Sequence, residues 1–235
     1  TKVGKGVLVA PTVHGNLIVG PNADPVDAGD EVANTAMGLD FIRKQAAKSV
    51  PGINYRDSIR NFAGVRANTD RPDFIIEESQ AAKGFINLAG IKSPGLSSAP
   101  AIAVMAVELL QKAGLATEAK PNFIDTRKRT IFRTLSPEEK QKAIAANPLY
   151  GRVICRCETI TEGEIVDAIH RPIVPTSIDG IKRRCNPGMG RCQGGFCGPR
   201  VHEILSRELG VPLDAIEMDE EGSFILTTPT KEAAK

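Results

Sequence analysis

The cysteine distribution constrains this chain more than any other feature of its sequence. The 235 residues include five cysteines, and all of them lie between Cys155 and Cys197. A disulfide framework usually spreads its cross-links through a small secreted fold and uses an even number of cysteines. Five cysteines confined to one segment therefore favour metal binding over disulfide formation.

Four of these cysteines form two close pairs. One residue separates Cys155 from Cys157, and four residues separate Cys192 from Cys197. Two such pairs allow one small domain to present four thiolates to one centre. Zinc accepts four thiolates, usually from pairs with short gaps, whereas the two irons of a 2Fe-2S cluster can each take one pair at a different span. The spacing favours a 2Fe-2S cluster and leaves zinc as the alternative.

The residues around the second pair indicate the environment of a cluster. Glycines there would let the backbone approach the sulfurs and donate N–H groups to them, and they are Gly188, Gly190, Gly194, Gly195 and Gly198. An oxidised four-thiolate cluster is negatively charged, so nearby cations would offset that charge and raise its potential. The candidate cations are Arg156, Lys182, Arg183, Arg184 and Arg191. Nucleic-acid binding by the same basic run is the less favoured interpretation.

Three segments in this region carry a family resemblance. Val153 to Glu158, Lys182 to Arg184 and Gly188 to Cys197 closely resemble the 2Fe-2S domain of the bacterioferritin-associated ferredoxin type. The resemblance is greatest to the version fused to the C-terminus of anaerobic glycerol-3-phosphate dehydrogenases and related flavoenzymes. It implies a small, mainly helical domain in which the four paired cysteines are the ligands. Cys185 does not fit that pattern and is interpreted as a spare thiol near the cluster.

The composition is that of an ordinary soluble globular protein, with 41% hydrophobic residues and a net charge of +2. This balance predicts no nucleic-acid partner. Apolar stretches such as Ala99 to Leu110 are shorter than the roughly 20 residues that cross a bilayer, and the first residues carry no signal-peptide pattern. We therefore expect a cytoplasmic protein without a membrane span. The start at Thr1, without an initiator Met, suggests the interior of a longer protein.

The first 115 residues predict antiparallel strands and helices. Val7 to Val9 and Leu17 to Val19 flank a turn, which predicts a hairpin. Apolar residues at three- and four-residue steps predict a helix over 31–49. Further predicted elements are strands at Ile59 to Ala67, Phe74 to Glu77 and Phe85 to Leu88, and a helix from Ala99 to Lys112.

The rest of the chain predicts a linker and a helical domain. Within the linker, Ser136, Pro137 and Glu139 form the N-terminal signature of one short helix. Helices are predicted from Glu162 to His170 and from Pro199 to Leu209, with a strand or hairpin near Phe224 to Thr227. The predicted fold class is therefore α+β. The predicted domain boundaries are 1–115 for the first domain, 116–150 for the linker, 151–212 for the cysteine-rich domain and 213–235 for the tail.

Three features of the first half are candidates for ligand binding. Arg66 could hold a carboxylate or phosphate through two N–H groups, or it could simply be a surface arginine. The loop from Gly90 to Ser98 precedes an apolar helix whose free N–H groups could receive an anion. His14 lies in the predicted hairpin turn, where a structural or exposed role is favoured. No G-x-G-x-x-G motif follows a strand, so no motif indicates a dinucleotide fold.

These features resemble a second family. Thr12 to Asn22, Ala63 to Arg66 and Gly90 to Pro100, in this order, resemble the C-terminal half of the D-amino-acid-oxidase-like FAD-dependent oxidoreductases. That superfamily includes glycerol-3-phosphate dehydrogenases and L-2-hydroxyglutarate oxidases. The resemblance covers residues 6–115 and implies an incomplete substrate and FAD-cap region. The family's N-terminal nucleotide-binding half is missing, so we expect this part alone to bind FAD weakly and to be inactive.

Together the two resemblances imply a dehydrogenase that oxidises glycerol 3-phosphate or a 2-hydroxy acid. Arg66 would anchor the anionic end of the substrate, and His14 is a candidate base. The residues implied to lie against the flavin are Gly90, Ile91, Lys92, Ser93, Pro94, Gly95, Leu96 and Ser97. The cluster would pass electrons singly to an acceptor, such as another subunit or a membrane-associated quinone pathway. The alternative is a non-catalytic 2Fe-2S or zinc module for interaction or redox sensing.

Overall fold

A computed structural model of the chain describes residues 6–13, 15–126 and 129–231. It consists of helices and small antiparallel sheets, which agrees with the predicted α+β class. The chain divides into two compact units, the first ending at Ile124 and the second beginning at Asp125.

Two hairpins form the strands of the first unit. Strands β1 (Leu8–Pro11) and β2 (Leu17–Gly20) pair antiparallel, which confirms the predicted hairpin. His14, the predicted turn residue, lies outside the described residues. Strands β3 (Ile75–Glu78) and β4 (Ile86–Ala89) form the second hairpin, within a residue of the predicted positions.

The strand predicted over Ile59 to Ala67 was wrong. These residues are all described, and they form no strand. Ile59, Phe62 and Val65 recur every three residues and are all exposed. A strand with one buried face needs alternation every two residues, so this segment presents no continuous apolar face to a partner.

Two helices complete the first unit. Helix α1 (Ala36–Ala46) begins at Thr35, whose side-chain oxygen accepts a hydrogen bond from the N–H of Gly38 at 3.1 Å. This N-cap starts the helix later than the predicted residue 31. Helix α2 (Gly95–Lys112) begins four residues before the predicted Ala99, so the end of the predicted loop is already helical.

The first unit buries little apolar surface. Among its described residues, the buried apolar side chains are Ala46 and Ile102. Large apolar side chains are instead exposed on both helices, with Met37 82% and Leu96 93% exposed. Apolar burial is the main favourable term in folding, so this unit has little core of its own.

The second unit begins within the segment predicted as a linker. A 3₁₀ turn at Phe132–Thr134 precedes helix α3 (Pro137–Ala146). The predicted N-terminus is confirmed, because Ser136 accepts from the N–H of Glu139 while the Glu139 carboxylate accepts from the N–H of Ser136. A further 3₁₀ turn, Pro148–Gly151, leads into the cysteine-bearing region.

The cysteine-bearing region contains one small hairpin and three helices. They are β5 (Val153–Cys155), β6 (Ile160–Thr161), α4 (Glu162–Ile169), α5 (Ile178–Cys185) and α6 (Gly198–Leu209). Helices α4 and α6 match the predicted positions, whereas α5 was not predicted. Near Phe224, the described residues show only an isolated bridge to Glu217 in place of the predicted strand.

The three helices and the hairpin share one apolar core. Its buried members include Ile160, Ile165, Ile169, Ile181, Val201, Leu205 and Ile216, together with Cys155, Cys185 and Cys197. Two of the four predicted ligands are therefore fixed by core packing. Among the helices that the structure describes, none is long and apolar enough to cross a membrane.

A buried carboxylate links β5, α4 and α6. The side chain of Glu162, the first residue of α4, is fully buried. Its oxygens lie 2.6 Å from Arg152 and 2.8 Å from Arg207. Two half-exposed guanidinium groups thus neutralise one buried charge, which keeps the ends of these elements together.

Candidate metal centre

The four paired cysteines occupy two turns and the ends of two elements. Cys155 ends β5 and Cys157 follows it in a turn, whereas Cys192 lies in the glycine-rich turn before α6. Cys197 is the N-cap residue of α6. All four are thus held by a strand end, a helix end or the turn next to one of them.

The structure pairs the thiols across the two sequence pairs. The Sγ atoms of Cys157 and Cys192 lie 3.6 Å apart, and the thiols of Cys155 and Cys197 are hydrogen-bonded to each other. The spacing allows each iron to take one sequence pair, whereas each pair of neighbouring thiols in the structure contains one cysteine from each sequence pair. With metal–sulfur bonds of about 2.3 Å, two tetrahedral ligands of one metal lie about 3.8 Å apart. The Cys157–Cys192 distance is close to that value.

A site for a single metal ion would need three or more ligating side chains around one point. Within the described ranges, no three or more His, Cys, Asp or Glu side chains surround a point that could hold one metal ion. The four sulfurs lie as two neighbouring pairs. Each iron of a two-iron cluster takes two cysteine sulfurs, which is the number in each pair.

The two pairs differ in exposure. Cys155 and Cys197 are each 1% exposed, whereas Cys157 and Cys192 are exposed. A cluster held by all four sulfurs would have one side in the core and the other side at the surface. The exposed side would be the one open to an electron-transfer partner.

Each pair contains one thiol that ionises easily. The hydrogen bond from Cys197, with N–H groups of Gly188, Glu158 and Cys157, lowers the pKa of Cys155 to about 6 against the opposing effect of burial. The same hydrogen bond and burial raise the pKa of Cys197. The N–H of Phe196 and the thiol of Cys157 lower the pKa of Cys192. The thiolate is the form that binds metals. The lowered pKa values therefore favour metal binding by Cys155 in one pair and by Cys192 in the other.

The glycine-rich turn is shaped for close approach to the sulfurs. A Cβ atom at Gly190 would lie 2.3 Å from the Cβ of Cys157. Gly188 and Gly194 both have positive φ, and a Cβ at Gly188 would lie 3.6 Å from the Cα of Gly194. Backbone N–H groups of this turn reach the thiolates. The residues present therefore fit a cluster, because they supply four thiolates and N–H donors around them.

The predicted cations are only partly free to act on the cluster. On α5, Lys182 pairs with Asp179 and Arg183 pairs with Asp219. Arg184 donates to the carbonyls of Gly180 and Ile173. These three side chains stabilise α5 and its neighbours.

Arg156 and Arg191 remain at the exposed side of the site. Both side chains are exposed, and the Arg156 guanidinium lies over the Phe196 ring, 4.7 Å from its centre. They are the cations placed to act on a cluster or on a molecule that approaches it.

Cys185 is separate from the four. It is 1% exposed, and its thiol donates to the Ile181 carbonyl at 3.6 Å. Burial raises its pKa to about 12, so it stays protonated and is a poor ligand. The structure agrees with its interpretation as a spare thiol.

The candidate flavin loop of the first unit is described in full. Lys92 Nζ donates to the Asn68 side-chain oxygen at 3.2 Å. Gly90 has a φ of +64°, and a Cβ there would lie 2.9 Å from the Thr69 methyl group. The loop thus contacts the residues that directly follow Arg66, which is itself exposed. Sequence reasoning missed Asn68 and Thr69, although they adjoin a residue that it had selected.

The end of this loop is the first turn of α2. A Cβ at Gly95 would lie 2.4 Å from Ile91 Cγ2, so glycine allows the loop to pass close to the helix start. The N–H of Gly95 bonds to the Lys92 carbonyl. Leu96 and Ser97 are first-turn residues, whose N–H groups have no acceptor within an α-helix. These groups are available to a ligand.

Two segments of the chain match known protein families. Residues 1–109 match the family described as FAD dependent oxidoreductase, and residues 153–207 match the BFD-like [2Fe-2S] binding domain. All four paired cysteines fall within the second match. The first part of the chain is therefore similar to FAD dependent oxidoreductases, and the cysteine-bearing part is similar to BFD-like [2Fe-2S] binding domains.

Two curated relatives are named for glycerol 3-phosphate. The chain is 53% identical to a glycerol 3-phosphate dehydrogenase of Caloramator mitchellensis over 98% of its own length and 48% of the relative. It is 44% identical to a glycerol 3-phosphate oxidase of Mycoplasma genitalium over 46% of this chain and 28% of the relative. The chain thus spans less than half the length of either relative.

A solved structure is also similar. It is the dithionite-reduced L-alpha-glycerophosphate oxidase from Mycoplasma pneumoniae with FAD bound. The sequence identity is 38% over 51% of this chain and 31% of the other chain, with a TM-score of 0.46.

Proposed function

We propose that this chain is part of a FAD-dependent dehydrogenase that oxidises glycerol 3-phosphate and passes electrons to a 2Fe-2S cluster. The observation that carries the proposal is the arrangement of four thiols as two crossed pairs, one buried and one exposed. The family matches of the two segments support the same combination of cofactors.

Cys155, Cys157, Cys192 and Cys197 would hold the cluster. When bound, it would supply one-electron acceptance and delivery. The chain's own contribution is to keep thiolates available at Cys155 and Cys192 and to donate N–H groups to them. Core packing around Cys155 and Cys197 would exclude water from one side.

Arg66 would bind the anionic end of the substrate. Its guanidinium can donate two parallel hydrogen bonds to a phosphate or a carboxylate. The relatives named for glycerol 3-phosphate favour phosphate. A 2-hydroxy acid is the alternative substrate class, and an assay with both substrates separates the two.

The loop from Gly90 to Ser97 would lie against FAD, which would supply hydride acceptance from the substrate. The N–H groups of Leu96 and Ser97 would stabilise negative charge at this position. The nucleotide-binding half that this family places before such a segment would complete the FAD site. His14 remains a candidate base for the hydroxyl proton.

We also infer a reducing compartment, in keeping with the predicted cytoplasmic location. All five cysteines lie in one segment, whereas the disulfide frameworks favoured in oxidising compartments spread their cross-links through the fold. The electron acceptor would be a separate protein or subunit.

The proposal is tested by adding glycerol 3-phosphate anaerobically to the complete protein, with its nucleotide-binding half, FAD and cluster in place. One oxidation of glycerol 3-phosphate supplies two electrons, whereas FAD takes two and the cluster takes one, so the substrate is added in excess. We expect the visible bands of both flavin and cluster to bleach. A cluster that stays oxidised while the flavin band bleaches would favour a structural or sensing module. A colourless zinc protein would favour a zinc-stabilised interaction domain.

A further inference from the structure

The exposed side of the cysteine site combines apolar and cationic side chains. Around Cys157 and Cys192, Met189 is 53% exposed and Phe196 is 58% exposed. Arg156 and Arg191 are exposed beside them. We call these four side chains and the two exposed thiols the outer surface of the site. Large apolar side chains grouped at an exposed functional site are typical of an interaction surface.

Two close contacts hold the outer surface together. Gly190 lies against Cys157, and Gly188 lies against Gly194, so the turn that carries Met189 and Arg191 packs on the turn that carries Cys157. The Arg156 guanidinium lies 4.7 Å above the Phe196 ring, and a cation–π contact orders both side chains without burying them. The surface is therefore ordered before any partner binds, which lowers the entropic cost of docking.

The positive charge of the outer surface lies at Arg156 and Arg191, since a bound four-thiolate cluster would itself be negatively charged. In the part of the chain that the structure describes, neither Arg156 nor Arg191 forms an ion pair. Neighbouring charges are neutralised locally, since Arg200 pairs with Glu203 and Glu158 pairs with Arg133. Two arginines without side-chain ion pairs, beside exposed apolar groups, complement a partner with carboxylates around an apolar centre.

We propose that the outer surface is the docking site of an acidic electron-acceptor protein whose one-electron cofactor lies near its own surface. The inference rests on the proposed function, because it requires a cluster between the thiol pairs. During transfer, the reduced cluster loses one electron and an acceptor such as a ferric haem gains it. No covalent bond forms or breaks. A surface formed by only six side chains gives a small, transient interface, and such an interface allows the partner to leave after each electron transfer.

The probe for this surface is cytochrome b5, an acidic haem protein. Oxidised, cluster-loaded full chain is titrated into isotope-labelled cytochrome b5 and the Kd is measured by NMR, so that no electron moves. We expect Arg156→Glu with Arg191→Glu to raise the Kd about tenfold at low ionic strength, and salt to reduce this difference. Phe196→Ala should raise the Kd severalfold at any salt concentration, because its contribution is apolar.

Matched controls lie elsewhere in the second unit. Lys142→Glu reverses an exposed cation on α3, and Phe224→Ala removes an exposed ring near the chain end. Neither change should alter the Kd. The iron content and visible spectrum of every variant are measured first, so that loss of the cluster is not mistaken for loss of docking.

Several outcomes would overturn the docking proposal. One is an equal Kd for the wild type, the double arginine variant and the controls. Another is a changed reduction potential in the double variant with an unchanged Kd, because the arginines would then act on the cluster alone. A third is arginine-dependent binding to phosphatidylglycerol vesicles without binding to cytochrome b5. A wild-type chain that takes up no cluster would overturn the proposed function as well, and its spectrum identifies that case.

Discussion

Gly190 is packed so closely against Cys157 that a side chain there would displace this candidate ligand. A Cβ at this position would lie 2.3 Å from the Cβ of Cys157, whereas a Cβ at Gly198 would meet nothing within 4 Å. Alanine at position 190 must therefore move the turn or the thiol. The two glycines offer a matched pair for testing how tightly the site is built.

We expect Gly190→Ala to lose most of its iron, since the displaced Cys157 could no longer ligate with Cys192. Gly198→Ala should keep the wild-type iron content. Iron and acid-labile sulfide analysis of anaerobically purified variants measures both. Equal cluster content in the two variants would show that Gly190 does not shape the site.

Cys185 offers a test of which thiols are ligands. Cys185→Ala removes a buried sulfur from the core and should cost about 1 kcal/mol of unfolding free energy through the small cavity. The cluster content and visible spectrum should not change. Cys157→Ser should instead abolish the wild-type spectrum. A Cys185→Ala chain that fails to hold iron would place Cys185 among the ligands.

At the scale of single residues, the sequence was sufficient to find the four candidate ligands because their spacing and glycine neighbours are local features. The crossed pairing was not predictable, since it depends on how β5 and the start of α6 meet in the core. Asn68 and Thr69 were missed for the same reason. Their contacts with Lys92 and Gly90 join segments that are distant in sequence.

At the scale of elements, the ion pairs of Glu162 hold β5, α4 and α6 in the arrangement that positions Cys155 and Cys197. Glu162 is fully buried between Arg152 and Arg207. The exposed pair Arg200–Glu203 on α6 has the same chemistry without burial, and exposed pairs contribute little.

Glu162→Gln should lower the free energy of unfolding by about 2 kcal/mol, because the buried amide would face the guanidinium of Arg152 without a counter-charge and that of Arg207 with Glu208 alone. Glu203→Gln should have little effect. Urea unfolding of the metal-loaded proteins gives both values. Equal changes in the two variants would contradict a stabilising role for the buried carboxylate.

Helix prediction succeeded where caps and periodicity agreed and failed where they did not. The capping pattern at Ser136 predicted the start of α3 correctly. Helix α5 was missed because its eight residues include the run Lys182 to Arg184, which hides the apolar spacing of Ile178, Ile181 and Cys185. The burial of these three residues comes from tertiary packing on α4 and α6.

At the scale of the whole molecule, the two units differ in how far each can stabilise itself. The second unit has a continuous apolar core, whereas the described part of the first unit buries only Ala46 and Ile102 among its apolar side chains. Sequence alone did not predict this difference, because the apolar residues of the first unit are as frequent as those of a segment with its own core and only the structure shows that they are exposed.

We therefore expect residues 125–235 to fold cooperatively when expressed alone and to take up the cluster. Residues 1–124 alone should be poorly structured, since burial of two apolar side chains cannot offset the loss of conformational entropy. Amide hydrogen exchange of the two fragments tests this. Strong protection in residues 1–124 would show that the first unit is stable without a partner.

The central claim is that Cys155, Cys157, Cys192 and Cys197 hold a 2Fe-2S cluster. The most direct test is low-temperature electron paramagnetic resonance of the anaerobically purified, dithionite-reduced chain, combined with metal analysis of the same sample. We predict a signal from one unpaired electron per chain, with about two irons and two sulfides. A silent spectrum with one zinc per chain would contradict the claim.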